Sequence, residues 1–151
     1  MASVFTGTYA HSLDAKGRVI IPAAYREKLG EGFTVTIDST NNSLVIYPAE
    51  RWEVVYQQLI AVRSTDAMGV DYRRYLAANA LTDVDMDGQG RVLIPQHLRD
   101  AVGLTREVTF VGNLDQVELW DAAKYAEQTR KIRESFQAHL RHMDDTYKNT
   151  D

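Results

Sequence analysis

The chain has 151 residues, no cysteine and a formal net charge of −4. The lack of cysteine excludes disulfides, thiolate catalysis and cysteine-ligated zinc, and the acidic balance argues against a nucleic-acid binder that works through bulk positive charge. No apolar run approaches the roughly 18 residues that would span a membrane, and the first residues lack the basic and apolar regions of a secretory signal. We therefore expect a cytoplasmic protein.

The first half of the chain predicts a short series of strands around one small helix. Alternating residues and turn signals indicate strands, and a proline followed by a helical pattern that stops at glycine indicates a short helix. In chain order these are a strand in TGTYAHSL (6–13), a turn in DAKG (14–17), a strand in RVIIP (18–22), a helix in AAYREKL (23–29) that ends at Gly30, and a hairpin of FTVTID (33–38) and SLVIYP (43–48).

Helical segments follow this first series. Residues 49–62 begin after Pro48 and place apolar side chains at helical spacing, and residues 71–81 predict a second helix. The apolar stripe of the first helix is formed by Trp52, Val55 and Leu59.

The same series then returns without a gap. DGQGRVLIP at 87–95 repeats DAKGRVIIP at 14–22, and the match extends through the helix and the hairpin that follow. The second copy predicts strands in 80–86 and 91–95, a helix in 96–102 that ends at Gly103, and a hairpin of 107–112 and 117–121. One long helix is predicted for 122–145, with an apolar stripe at Ile132, Phe136 and Leu140.

The repeat determines the expected organisation. A unit of roughly 45 residues buries little core by itself, so two units in one chain are expected to pack as a pseudo-symmetric pair. The fold class is α+β. We predict a first repeat over 7–50, a helical connection over 51–79, a second repeat over 80–123, and a C-terminal helix and tail over 124–151.

Three alternating aspartates raise the question of a calcium loop. Asp83, Asp85 and Asp87 precede Gly88 with the spacing of such a loop. Its twelfth position needs a bidentate glutamate, yet this chain has Ile94 there. The residues after Gly88 also predict a strand rather than an outgoing helix. We predict no bound metal.

The repeated turns are the candidate functional site. Lys16 and Arg18 lie in the first, and Arg91 lies in the second, where Gln89 takes the place of the lysine. Arginine offers donors in planar geometry that suits phosphate and the guanine edge. The other interpretation is a structural aspartate–arginine ion pair that only closes the turn, since an exposed pair needs no function.

The remaining turn residues shape the loop. Asp14 and Asp87 are expected to orient each turn through their own backbone bonds, and Gly17 and Gly90 follow them at the fourth position of each turn. No nucleophile motif is present, and the four histidines are scattered. We therefore predict no catalytic residue, no enzyme activity and no cofactor.

The twin DAKGRVIIP and DGQGRVLIP motifs, each followed by an arginine and a glycine, resemble the two Asp-x-x-x-Arg motifs of the MraZ family. VELWD at 117–121 is also similar to that family. The resemblance implies swapped-hairpin units related to AbrB-like proteins, joined in one pseudo-dimeric β-barrel. It also carries the DNA-binding role over to Lys16, Arg18 and Arg91.

The resemblance further implies a partner and a function. It implies a nucleoid-associated regulator, assembled as a ring-shaped homo-oligomer, that binds direct repeats of double-stranded promoter DNA. The expected effect is repression of the gene cluster for division and cell-wall synthesis, the protein's own promoter included. The alternative is a non-enzymatic interaction module that uses the barrel and the C-terminal helix to dock a protein partner.

Overall fold

The structure, a computed structural model, describes residues 4–148. Within them lie eight strands, β1 (Thr8–Ser12), β2 (Arg18–Ile20), β3 (Phe33–Ile37), β4 (Leu44–Tyr47), β5 (Leu81–Val84), β6 (Arg91–Leu93), β7 (Glu107–Gly112) and β8 (Val117–Asp121). The helices are α1 (Ala23–Leu29), α2 (Ala49–Ile60), α3 (Ala67–Ala78), α4 (Gln96–Ala101), α5 (Ala122–Glu134) and α6 (Phe136–Tyr147). The predicted α+β class is confirmed.

Six strands form one antiparallel sheet in the order β1-β7-β8-β4-β3-β5. The repeat relates β1 to β5, β3 to β7 and β4 to β8, so the order reads the same from either edge. The first strand of each copy pairs with the hairpin of the other copy, as in Thr8 opposite Val111 and Leu81 opposite Val35. The two copies are therefore exchanged with each other and share one sheet.

The other two strands, β2 and β6, form a separate antiparallel ribbon. Val19 and Val92, which are repeat equivalents, face each other at its centre. Backbone bonds at both ends extend the pairing, because Ile94 N–H donates to Gly17 O and Ile21 N–H donates to Gly90 O. The pseudo-two-fold axis thus passes through the middle of the ribbon and places one turn at each end.

The sheet and the ribbon are held together by a core of buried apolar side chains. Val19, Ile21 and Ile94 contribute from the ribbon, and Phe110 and Leu119 contribute from the sheet. In the part of the chain described, no strand pairing joins the ribbon to the sheet. The closed barrel therefore stays a prediction.

The helix α2 covers the other face of the sheet. Val55 is buried against Val45 and Tyr47, and Trp52 and Leu59 pack beside them. The apolar stripe predicted for this helix therefore packs against the sheet of its own chain. The stripe on the C-terminal helices differs, because Ile132, Phe136 and Leu140 are exposed.

The C-terminal region corrects one sequence prediction. The single helix predicted for 122–145 is wrong, because α5 ends at Glu134 and α6 begins at Phe136. Between them the Ser135 hydroxyl donates to the Lys131 carbonyl at 2.7 Å. A serine that bonds back to the preceding turn bends a helix, and here it coincides with the break.

The helix α3 also differs from its prediction. It covers Ala67–Ala78 rather than 71–81, because the Asp66 side chain accepts a hydrogen bond from Gly69 N–H and caps the helix earlier. Residues 149–151 of the predicted C-terminal segment lie outside the described residues. Among residues 4–148, no helix is long and apolar enough to cross a membrane.

Candidate nucleic-acid interface

The first turn is closed by the carboxylate of Asp14. Its Oδ1 accepts hydrogen bonds from the backbone N–H groups of Lys16 and Arg18, each at 2.9 Å. Its Oδ2 accepts from Arg18 Nε at 2.7 Å. Gly17 N–H donates to Asp14 O, and Asp14 N–H donates to Arg18 O. One carboxylate therefore fixes the backbone of the turn and the direction of the arginine side chain.

The second turn repeats this network. Asp87 Oδ1 accepts from the N–H groups of Gln89 and Arg91 at 2.9 Å, and Oδ2 accepts from Arg91 Nε at 2.8 Å. Gly90 N–H donates to Asp87 O. The two turns are thus built alike at the level of single hydrogen bonds, although one contains a lysine where the other contains a glutamine.

The carboxylates of both turns are held in the charged state. The pKa of Asp14 is lowered, chiefly by the hydrogen bond from the Arg18 backbone N–H. The pKa of Asp87 is lowered by the equivalent bond from the Arg91 backbone N–H. Hydrogen bonds to a carboxylate favour its ionised form. Each arginine therefore faces a full negative charge at neutral pH.

Each turn is also covered by an arginine from the other copy. The guanidinium of Arg99 lies over Gly17, and that of Arg26 lies over Gly90. A Cβ added at Gly90 would come within 2.6 Å of Arg26 Nε. Both glycines have positive φ, at 85° and 78°, a region that glycine occupies at no steric cost. The turns thus need glycine for both backbone conformation and space.

The covering arginines are anchored at one nitrogen. Arg26 Nε donates to Ile21 O and Arg99 Nε donates to Ile94 O, each at 2.9 Å. Arg26 and Arg99 are half-buried. Arg26 lies beside the turn that presents Arg91, and Arg99 lies beside the turn that presents Arg18. Sequence reasoning did not assign them to the site. The sequence contained a signal for them, because Arg26 and Arg99 occupy equivalent positions in the two repeats and are both arginine.

The outer face of the ribbon joins the two turns. Its outward side chains are Arg18, Ile20, Arg91 and Leu93. Arg18 lies opposite Leu93, and Ile20 lies opposite Arg91. The two apolar residues are 42% and 56% exposed, although Val19 between the outward residues is only 2% exposed. The face is therefore an alternating pattern of two arginines and two apolar side chains, related by the pseudo-two-fold axis.

The predicted site residues are divided between the two ends of this ribbon. Lys16 and Arg18 lie at one end, and Arg91 lies at the other. The aspartate–arginine pair of the structural interpretation is present in both turns. In each pair the aspartate binds Nε, and neither Nη makes a hydrogen bond to a described residue. The pair therefore leaves donors on the arginine for a ligand.

The three alternating aspartates lie in three different structural settings and do not converge on one site. Asp87 closes the second turn, and Asp85 accepts a hydrogen bond from Gly32 N–H at 2.8 Å. Asp83 has a φ of 54° at the irregular pairing between β3 and β5. No cluster of metal-ligating side chains is found within residues 4–148. The absence of bound calcium stays a prediction.

Comparison with known proteins covers both copies of the repeat. A family model described as "MraZ protein, putative antitoxin-like" matches residues 4–73 and 76–146, so each segment contains one turn. The chain is 43% identical to the Transcriptional regulator MraZ of Acetivibrio thermocellus, over 81% of this chain and 84% of that protein. It is 36% identical to the protein of that name from Caldanaerobacter subterraneus subsp. tengcongensis, over 91% and 95%.

Proposed function

Because this chain belongs to the MraZ family, we propose that it is a sequence-specific DNA-binding transcriptional regulator that reads DNA with the outer face of the β2–β6 ribbon. The observation that carries this proposal is the pair of equivalent turns, in which one carboxylate holds an arginine at each end of an exposed ribbon. No described feature of the chain offers a comparable set of oriented donors.

The ribbon has the two-stranded form and the chemistry that suit the major groove. That groove is about 12 Å wide and admits a two-stranded ribbon. Arg18 and Arg91 present planar donors that suit guanine O6 and N7, and Ile20 and Leu93 suit the methyl group of thymine. Lys16 is a point charge on a flexible stem and suits a phosphate. The ribbon therefore combines base contacts along its outer face with a phosphate contact at the end formed by the first turn.

We propose that several copies act together on direct repeats as a ring. With a net charge of −4, one subunit neutralises few phosphates and binds weakly. Linked subunits on neighbouring repeats bind at high effective concentration without new contacts. The surface that supports self-association is the exposed stripe on α6, where Phe136, Leu140 and Met143 follow one another at helical spacing.

The biological role follows from the family resemblance. We propose that the bound ring represses the division and cell-wall gene cluster together with its own promoter, and that the protein is associated with the nucleoid. We also propose that the ribbon and the sheet form one barrel of swapped hairpins. The division of the chain at 7–50, 51–79, 80–123 and 124–151 is part of this proposal.

The test is DNA binding across a salt series. Fluorescence anisotropy would compare the duplex upstream of the protein's own gene with a scrambled duplex. Arg18→Ala and Arg91→Ala should each weaken binding to the specific duplex by about 1–3 kcal/mol if the arginine reads a base. If the arginine contacts only phosphate, both duplexes lose affinity alike and the salt slope falls by about 1.

The matched control is Arg74→Ala. Arg74 forms an exposed pair with Asp71 on α3, with Nη1 and Oδ1 2.8 Å apart, so this variant removes an equivalent ion pair from a different surface. It should bind as the wild type does. The proposal is wrong if the wild type does not distinguish the two duplexes. It is also wrong if the ribbon variants bind no worse than the control.

The exposed stripe on α6 favours a second function, an interaction module that docks a protein partner through its C-terminal helix. Under this function, Phe136→Ser would abolish the partner interaction and the wild type would show no preference for the promoter duplex. Under the proposed regulator, the same variant loses assembly and DNA affinity together. The two functions are therefore distinguished by one variant in two assays.

A further inference from the structure

The two ends of the ribbon are built from the same hydrogen bonds but carry different charges. Lys16 in the first turn corresponds to Gln89 in the second. Two residues before each turn aspartate, Ser12 of the first copy corresponds to Asp85 of the second. The network that closes each turn is unaffected by these differences, because the equivalent bonds have equal lengths within 0.1 Å.

The exchange of strands between the copies increases the difference. Leu13 N–H donates to Arg106 O, so the hairpin of the second copy lies beside the first turn. Asp14, Arg99 and Arg106 line one groove there. At the other end Gly32 N–H donates to the Asp85 carboxylate, so the hairpin of the first copy lies beside the second turn. It has Phe33 where the other hairpin has Arg106, and Glu31 where the other has Leu104.

Nine pairs of equivalent positions around the two turns give opposite totals: 10, 12, 14, 16, 18, 99, 104, 106 and 107 at the first end, and 83, 85, 87, 89, 91, 26, 31, 33 and 34 at the second. The first end has four basic side chains, Lys16, Arg18, Arg99 and Arg106, and two acidic ones, Asp14 and Glu107. The second end has two basic side chains, Arg26 and Arg91, and four acidic ones, Glu31, Asp83, Asp85 and Asp87. The formal charge is therefore +2 at the first end and −2 at the second.

The two charges act separately on a bound duplex. Gly17 and Ile21 mark the two ends of the extended pairing, and four steps along a strand are about 13 Å. The Debye length is about 8 Å at physiological ionic strength. Solvent ions therefore screen each end from the other, and a phosphate at one end experiences mainly the charge of that end.

From this we infer that the ribbon engages DNA unequally. The first end anchors the phosphate backbone through Lys16, Arg99 and Arg106, and the second end makes no net phosphate contact and reads bases through Arg91 alone. This inference rests on the proposed function, because it assigns different tasks to the two halves of the same interface. The pseudo-symmetric chain would therefore bind its DNA site in one defined orientation.

The first test exchanges charge between the ends at constant net charge. The variant Lys16→Gln/Gln89→Lys transfers one lysine to the equivalent position. Loss of one phosphate contact lowers the salt slope by about 0.9 and weakens binding at 0.1 M salt roughly eightfold. We expect Lys16→Gln to show this loss. We expect the exchanged variant to bind almost as weakly as Lys16→Gln, because a lysine at position 89 does not replace the lost phosphate contact. If the exchanged variant regains the wild-type affinity and slope, the two ends are equivalent and the inference is wrong.

The second test maps the ends directly. Ala15 and Gly88 are repeat equivalents on the exposed part of each turn, a Cβ at Gly88 meets no atom within 4 Å, and the chain has no other cysteine to label. Iron–chelate conjugates of Ala15→Cys and Gly88→Cys would each cleave nearby DNA strands. Normalised to the bound fraction, the first conjugate should cleave the backbone more strongly, and equal cleavage would overturn the inference.

The outcomes separate this inference from the function on which it rests. If unmodified protein does not prefer the duplex upstream of its own gene over a scrambled duplex, the proposed function fails and the inference fails with it. If the preference is present while the exchanged variant and the two conjugates behave symmetrically, only the inference fails. Asp85→Asn, which keeps an oxygen for Gly32 N–H, should tighten binding at low salt.

Discussion

Replacing Gly90 by alanine should destabilise the protein far more than a surface substitution does. Gly90 has a φ of 78°, and a left-handed conformation costs an L-residue about 1–2 kcal/mol. The new Cβ would also lie 2.6 Å from Arg26 Nε. The side chain must move and lose its bond to Ile21 O, which contributes about 1 kcal/mol. Alanine restricts the unfolded chain and returns about 0.5 kcal/mol. The net loss is about 2 kcal/mol.

This loss is measurable by thermal or urea unfolding. For a chain of this length 1 kcal/mol corresponds to about 2–4 °C, so Gly90→Ala should melt about 4–8 °C below the wild type. Gly88→Ala is the matched control in the same turn, because its Cβ meets no atom within 4 Å. In an Arg26→Ala background, Gly90→Ala should cost about 1 kcal/mol less. Equal melting temperatures for Gly90→Ala and Gly88→Ala would refute this reasoning.

Other perturbations address the turns, the ribbon face and the C-terminal helices. Because the pKa of Asp87 is lowered in the folded state, its contribution to stability is present above the unfolded value and is lost as pH falls through the folded one. Asp87→Asn should therefore flatten the acid limb of a plot of stability against pH, and an unchanged limb would contradict this. Ile20→Ala should change stability by less than about 0.5 kcal/mol, since the side chain is exposed, yet alter base preference in a binding selection. Phe136→Ser and Leu140→Ser should shift the assembly to smaller species in sedimentation velocity, and unchanged sedimentation would remove α6 from the interface. Ser135→Ala should raise the helical circular dichroism signal, because the hydroxyl no longer competes for the Lys131 carbonyl.

Local patterns predicted the elements and the turns well. Short helices bounded by proline and glycine were found where expected, as in Ala23–Leu29. The aspartate–glycine turns formed the predicted backbone bonds, because Asp14 acts on residues at most four positions away. Hydrogen bonds between residues this close in the chain depend on the local sequence alone, so a short sequence pattern is enough to predict them.

The features that could not be predicted depend on side chains or on distant contacts. The Asp66 cap starts α3 early. Ser135 ends the first C-terminal helix, although the helical spacing of Ile132, Phe136 and Leu140 continues across it. The placement of Arg99 over Gly17 depends on tertiary packing between copies. Arg106 reaches the first turn only because the strands are exchanged, and no pattern within one repeat contains that information.

The exchange of strands also determines how the chain can be made. Thr8 pairs with Val111, so the partner of the first strand is synthesised about a hundred positions later, and ribosomes add roughly 5–20 residues per second. The backbone groups of the nascent first strand therefore stay unpaired for several seconds. On a polysome, the corresponding hairpin of an adjacent nascent chain can reach it first. Joining both copies in one polypeptide raises the local concentration of the correct partner, and it makes the separated halves poor candidates for independent folding.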